Sequence, residues 1–188
     1  MHPRIQEVLE YLDTTRTALS NAVEQVAPAR RDEQPAADRW SVAQVLDHLA
    51  IIEGRIVRLV AGRITEAKAA GLGPEVETSS VLDSINRNGI RDRSKPVEAP
   101  EPVRPQSGRD AASGWQALEQ SRSNLRAATL EGDGLALSEV TQQHPVLGLI
   151  NLYQWLIFVG AHEARHTDQI SEIAREFAGQ SSDAAGAA

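Results

Sequence analysis

Near the C-terminus, Leu152, Trp155, Val159, His162, His166, Ile170, Ile173 and Phe177 follow one another at steps of three and four residues. That spacing predicts a helix from about Leu147 to Ala178 with one face turned to a core. His162 and His166 sit inside that face, on consecutive turns, which brings their side chains to within roughly 5–6 Å of each other at Cβ. Two imidazoles facing a core need partners, because an unpaired polar group there costs on the order of 1–3 kcal/mol. One metal ion satisfies both rings; hydrogen bonds to carboxylates or water are the alternative.

Three further segments carry the same periodicity. The first, from about Pro3 to Ala27, aligns Ile5, Val8, Leu9, Leu12, Leu19, Ala22, Val23 and Val26. The second starts at Ser41, where Ser41-Val-Ala-Gln44 has the capping-box pattern, and continues to about Ala70. Its stripe is Val42, Val45, Leu46, Leu49, Ile52, Ile56, Leu59 and Val60. A thinner stripe of Trp115, Leu118, Leu125 and Ala128 marks a third, from about Ser113 to Leu130. Between the second and third, residues 71–113 form a polar stretch broken by Pro74, Pro96, Pro100, Pro102 and Pro105, with a short helical piece near Val81 to Ile90. No strand alternation competes. The expectation is an all-α, antiparallel four-helix bundle with a long proline-rich crossover between helices 2 and 3. It is one domain over residues 1–178, followed by a small, polar, disordered tail at 179–188.

The chain has 188 residues, of which 41% are hydrophobic and 24% charged, and no cysteine. Disulfides and thiolate metal sites are thereby excluded, leaving imidazole and oxygen ligands. A net charge of −7, without a basic block interleaved with aromatics, argues against a nucleic-acid partner. No apolar run reaches the roughly 18 residues a membrane span needs, and no signal peptide is evident, so the expected location is the cytoplasm.

His48 flanks the stripe of the second helix, beside Val45 and Ile52. Because bundles build metal sites from facing helices, it is the candidate third ligand to His162 and His166. His2, at a fraying chain end, and His144, before a proline in a loop, are expected to face solvent. Two local motifs compete. His162-Glu-Ala-Arg-His166 spells the H-E-x-x-H of zinc proteases, but no metzincin extension and no substrate-binding strand accompany it. Glu163-Ala-Arg-His166 spells the E-x-x-H of di-iron bundles, but Val45 stands where a second copy would need its glutamate.

Three passages resemble the DinB-like family, which includes YfiT-type metal proteins and relatives that use low-molecular-weight thiols. Trp40-Ser-Val-Ala-Gln-Val-Leu-Asp-His-Leu49 resembles the start of that family's second helix, with His48 at a ligand position. His144-Pro-Val-Leu-Gly148 resembles the entry to its last helix. His162-Glu-Ala-Arg-His-Thr-Asp-Gln-Ile170 resembles its H-x-x-x-H segment. The resemblance implies a mononuclear site of His48, His162 and His166 for a divalent ion, nickel or zinc first, then iron, manganese or copper. It also implies a metal-dependent activity on a small molecule, thiol-dependent S-transfer or hydrolysis, with a low-molecular-weight thiol as co-substrate. A non-catalytic metal-binding or dimeric interaction bundle is the alternative, and a homodimer is compatible with either.

Three neutral ligands leave the ion's charge uncompensated, so it would lower the pKa of a coordinated water or thiol. Glu163, next to His162, is the candidate catalytic base, although one residue of offset turns it about 100° around the helix. Glu163 and Asp47 are also candidates for orienting a ligand histidine. Arg165 and Asp168 are expected on the far side of the helix, as solvated charges or a pocket rim. Metal affinity is expected to fall as the histidines protonate, below roughly pH 6.5.

Overall fold

The computed structural model describes residues 1–94, 97–106 and 108–186, with side chains as far as Gln180. Pro96, one of the crossover prolines, and the last two residues of the expected tail lie outside the described residues. Among them the chain is mostly helical. Helices α1 (Pro3–Glu24), α2 (Val42–Ala69), α4 (Ala111–Leu130) and α5 (Leu152–Gly186) are long, and α3 (Arg87–Arg91) is short. Strands β1 (Thr141–His144) and β2 (Gly148–Asn151) form an antiparallel hairpin. No described helix is long and apolar enough to cross a membrane.

Local chemistry sets the helix starts. Pro3 fits the first turn of α1, whose free amide at Arg4 is capped by the His2 ring. Ser41 and Gln44 form a complete capping box on α2, each side chain bonding the other's backbone N–H. Asp110 caps α4 by accepting from the Ser113 N–H, which starts that helix slightly before the expected Ser113. Asn151 and Gln154 exchange the same pair of bonds at the head of α5, at 3.0 and 2.9 Å. The fourth long helix therefore begins at Leu152 rather than near Leu147, and the hairpin occupies the intervening residues. Helix α5 also continues through Gly186, into the expected tail. Arg30 ties its far end down, with its guanidinium 3.7 Å from the Phe177 ring centroid and a bond to Gln180.

Side-chain contacts give the helix directions. Gly114 lies against Ala43 and Leu46, Arg122 against Glu53, and Gly132 against Ile64, so α2 and α4 run the same way. Arg4 stacks over Tyr153, Thr15 bonds Glu163, and Arg30 covers Phe177, so α1 and α5 are also parallel to each other. Helix α2 opposes α5: Arg39, just before α2, pairs with Glu176, while His48 meets His166 and His162. A parallel pair explains the long crossover, which must return from the end of α2 to the level of its beginning.

The apolar interior comes in two parts. One gathers Ile5–Leu12, Ile56–Ile64, Leu125 and Leu152–Val159; the other gathers Leu19–Val26, Val42–Ala50, Leu118 and Ile170–Phe177. The break falls at the same height on all four long helices, and polar side chains fill it.

Candidate metal centre

The polar layer has two compartments. In the first, Arg16, Glu53, Arg122 and Glu163 form a closed network. Glu163 accepts from Arg16 Nε at 2.7 Å, Arg122 Nη2 at 3.1 Å and the Thr15 hydroxyl at 2.6 Å. Glu53 accepts from Arg122 Nε at 2.7 Å and Arg16 Nη2 at 3.1 Å. Two guanidiniums and two carboxylates cancel in charge, and spare donors find backbone carbonyls at Leu12 and Leu118. Burial pushes the Glu53 carboxyl up, against the pull of Arg122 and Arg16. Burial also opposes the charge on Arg122, yet Glu163 and Glu53 hold it above its ordinary range.

This network changes the reading of Glu163. Its carboxylate is buried, 1% exposed, and engaged with α1 and α4. A carboxylate held by two guanidiniums and a hydroxyl is a poor proton acceptor, so the geometry speaks for a structural clasp and against the general-base role expected from the sequence.

In the second compartment His48, His162 and His166 come together, each offering one ring nitrogen within 4.8 Å of the other two. His48 and His166 are buried and His162 is half-buried. His48 Nδ1–H donates to the Val103 carbonyl at 2.6 Å, leaving Nε2 as its lone-pair nitrogen. His166 Nδ1–H donates to Gln169 Oε1 at 2.8 Å. The same amide oxygen accepts from Arg93 Nη1 at 3.4 Å, which fixes the amide's orientation. The Nε2 atoms of His166 and His162 are 3.2 Å apart. Two nitrogens on one ion at about 2.0–2.1 Å stand about 2.9–3.4 Å apart, depending on the bond angle, so the pair fits a shared ion.

Burial lowers the His48 pKa, opposed by the Val103 carbonyl and Asp47. Burial, and then the positive charge that His48, Arg165 and His144 can carry, take His162 down to about 3. The same burial, followed by His162 and His48, puts His166 well below the usual histidine range. The cluster therefore holds neutral imidazoles, the ligand form of histidine. Aromatic rings flank it: Trp40 lies 5.0 Å from the His48 ring, and Phe158 stacks on His162 at 5.4 Å.

The other expectations about charged and imidazole side chains are corrected. His144 is buried, packed on Trp155 and Phe158, and its Nδ1 accepts from the Val146 and Leu147 N–H groups in the hairpin turn. His2 caps α1 instead of fraying, and its own N–H donates to Asp133. Arg165 and Asp168 hold the crossover: Asp168 takes both arms of Arg91, and Arg165 donates to the Asp92 carbonyl. Asp47 does not touch a ligand ring; its carboxylate also faces the crossover, through Gln106 and Arg109.

Sequence reasoning missed Arg16, Glu53 and Arg122, although a signal was present. Each is in phase with an apolar stripe: Arg16 four after Leu12, Glu53 four after Leu49, Arg122 four after Leu118. Charges of both signs at one height of several stripes are the mark of a buried ionic layer.

These features describe a mostly helical protein with a buried three-histidine cluster between its second and last long helices. The chain belongs to the DinB superfamily, whose sequence pattern matches residues 11–170. It is 29% identical over 158 residues to the uncharacterized protein YuaE of Bacillus subtilis (strain 168), covering 81% of this chain and 88% of that one. No solved structure matches.

Proposed function

We propose that the four long helices form a four-helix bundle whose purpose is to hold one divalent metal ion on His48, His162 and His166. The observation that carries this reading is the 3.2 Å approach of two Nε2 atoms, one of them on a ring whose proton is committed to Gln169. Superfamily membership supports it. Three imidazoles suit zinc, nickel, iron or copper, so availability selects among them.

The activity that accords with such a site is metal-dependent chemistry on a small molecule, S-transfer from a low-molecular-weight thiol or hydrolysis. When bound, the ion would supply Lewis acidity and lower the pKa of a coordinating group. His162, less buried than its partners, marks the side from which a substrate reaches the cluster. Trp40 and Phe158 supply apolar walls on the two flanks. A non-catalytic metal-binding bundle is the second reading, favoured by the engagement of Glu163 in the ionic network.

The test is elemental analysis of the purified chain, followed by a turnover screen pairing small thiols with electrophiles and ester or amide substrates. Metal at one equivalent, lost in His166→Ala, supports the site. Turnover lost with the metal supports the enzyme reading, whereas stoichiometric metal with no turnover throughout the screen favours the second.

A further inference from the structure

The crossover touches the histidine cluster from two sides, by contacts a merely covering loop does not need. On the α2 side, the carbonyl of Val103 is the acceptor that fixes the ring of His48, at 2.6 Å. That carbonyl belongs to a short 3-10 turn, Glu101–Val103, pinned to α2 by further bonds. Asp47, 1% exposed, accepts from the Gln106 N–H at 2.6 Å and pairs with Arg109 at 2.6 Å. Arg55 donates to the Pro102 carbonyl at 2.7 Å. On the α5 side, Gln169 accepts from both His166 and Arg93, and Arg93 is held by a two-armed pair with Glu172 at 3.1 and 2.8 Å. Two of the three rings thus take their orientation from groups that the crossover supplies or secures.

We propose that the crossover is a working part of the metal site, and that Asp47 is a positioning residue which acts through it. By holding Gln106 and Arg109, Asp47 sets the Val103 carbonyl, and that carbonyl presents His48 with Nε2 toward its partners. This rests on the metal reading above. Asp47 does not orient the ring directly. It adjoins His48 in sequence, yet successive helix residues point about 100° apart, and its carboxylate is committed to the crossover. The partner that a ligand histidine ordinarily finds in a nearby carboxylate or carbonyl is here the main chain of a distant loop. Thermodynamic linkage follows. If crossover docking raises metal affinity, metal must stabilise crossover docking by the same factor.

The experiment measures zinc(II) affinity by chelator competition, and amide hydrogen exchange in residues 97–106, for the full chain and for Asp47→Asn, Arg109→Ala and Arg109→Lys. Circular dichroism and the melting temperature of each metal-free protein report whether the fold is kept. In the unsubstituted chain, zinc is expected to slow exchange at Val103, Arg104 and Gln106. Asp47→Asn and Arg109→Ala are expected to bind zinc about 10–100-fold more weakly, with Arg109→Lys recovering part of the loss. A variant that melts lower without metal yet binds zinc like the unsubstituted chain makes Asp47 a stability residue alone and overturns the proposal. So does zinc that binds tightly while leaving exchange in 97–106 unchanged. If the unsubstituted chain takes up no zinc, the metal reading falls and this proposal with it. Uptake abolished by His166→Ala but untouched by the Asp47 and Arg109 variants overturns this proposal alone.

Discussion

His162 and His166 face each other Nε2 to Nε2 at 3.2 Å, and the Nδ1 proton of His166 is committed to Gln169. With that proton placed, the His166 Nε2 carries a lone pair directed at its neighbour. A bound ion replaces a single weak contact between two rings with a bond to each. Adding zinc(II) or nickel(II) to metal-free protein should therefore raise its melting temperature in proportion to the logarithm of metal concentration above Kd. His166→Ala should lose that response, and so should His48→Ala. Equal responses in His166→Ala and the unsubstituted chain would place the metal elsewhere.

The three rings also set a pH dependence. All three pKa values are lowered, chiefly by burial, His162 to about 3. In the unfolded chain histidine titrates near 6.5. Below that value the unfolded state binds more protons than the folded one, so the metal-free protein should lose stability as pH falls from about 6.5, and gain none above it. For the folded protein the consequence is opposite to simple expectation. Protons compete with metal only near the lowered values, so metal should be retained well below pH 6.5, until acid unfolding releases it. Metal content and circular dichroism measured together from pH 7.5 to 4 check this. Release centred on pH 6.5 with the fold intact would contradict it.

Arg122 gives a prediction about the ionic layer. Its guanidinium bridges Glu53 and Glu163, and its side chain is 10% exposed. Removing one member of such a network leaves a buried carboxylate uncompensated, which costs about 3–5 kcal/mol. Arg122→Met should lose that much in urea unfolding at pH 7. Glu163→Gln should destabilise too, because a neutral amide can no longer balance Arg16 and Arg122. Should Glu163→Gln abolish turnover while leaving stability within about 0.5 kcal/mol, the size of an ordinary surface substitution, the general-base role would be restored.

How much of this was legible follows from what each residue depends on. The stripes of α1, α2 and α5 were readable because they rest on spacing alone, and the Ser41 box was readable because it is local. The histidine cluster was readable in part: His162 and His166 share one helix, while His48 needed the assumption that α2 and α5 face each other. Val103 and Gln169 were not readable. A main-chain carbonyl in a proline-rich loop has no sequence signature, and a glutamine three residues from a histidine means little until Arg93 is brought beside it. The hairpin was hidden because Thr141-Gln-Gln-His144 shows no apolar alternation, and its partner strand reads as the apolar start of a helix. The Asn151–Gln154 box was visible and would have placed the start of α5 correctly.

That hairpin yields the last prediction. Strands β1 and β2 meet through a turn in which Gly148 adopts φ +77, a left-handed conformation that disfavours a side chain. A Cβ built at Gly148 meets nothing within 4 Å, so Gly148→Ala isolates the backbone term from packing. The expected loss is about 1–2 kcal/mol. His144 pairs with Gly148 across the hairpin and uses Nδ1 to accept the turn's two N–H groups. It also packs on Phe158, whose ring stacks on His162. Strain at Gly148 can therefore reach the cluster by one aromatic contact. Gly148→Ala should lower the melting temperature while leaving zinc stoichiometry intact, because none of the three ligand rings belongs to the hairpin. His144→Ala should cost stability and in addition alter the environment of His162, read as a shift of its ring resonances in NMR. Unchanged His162 resonances in His144→Ala would make the hairpin and the cluster independent.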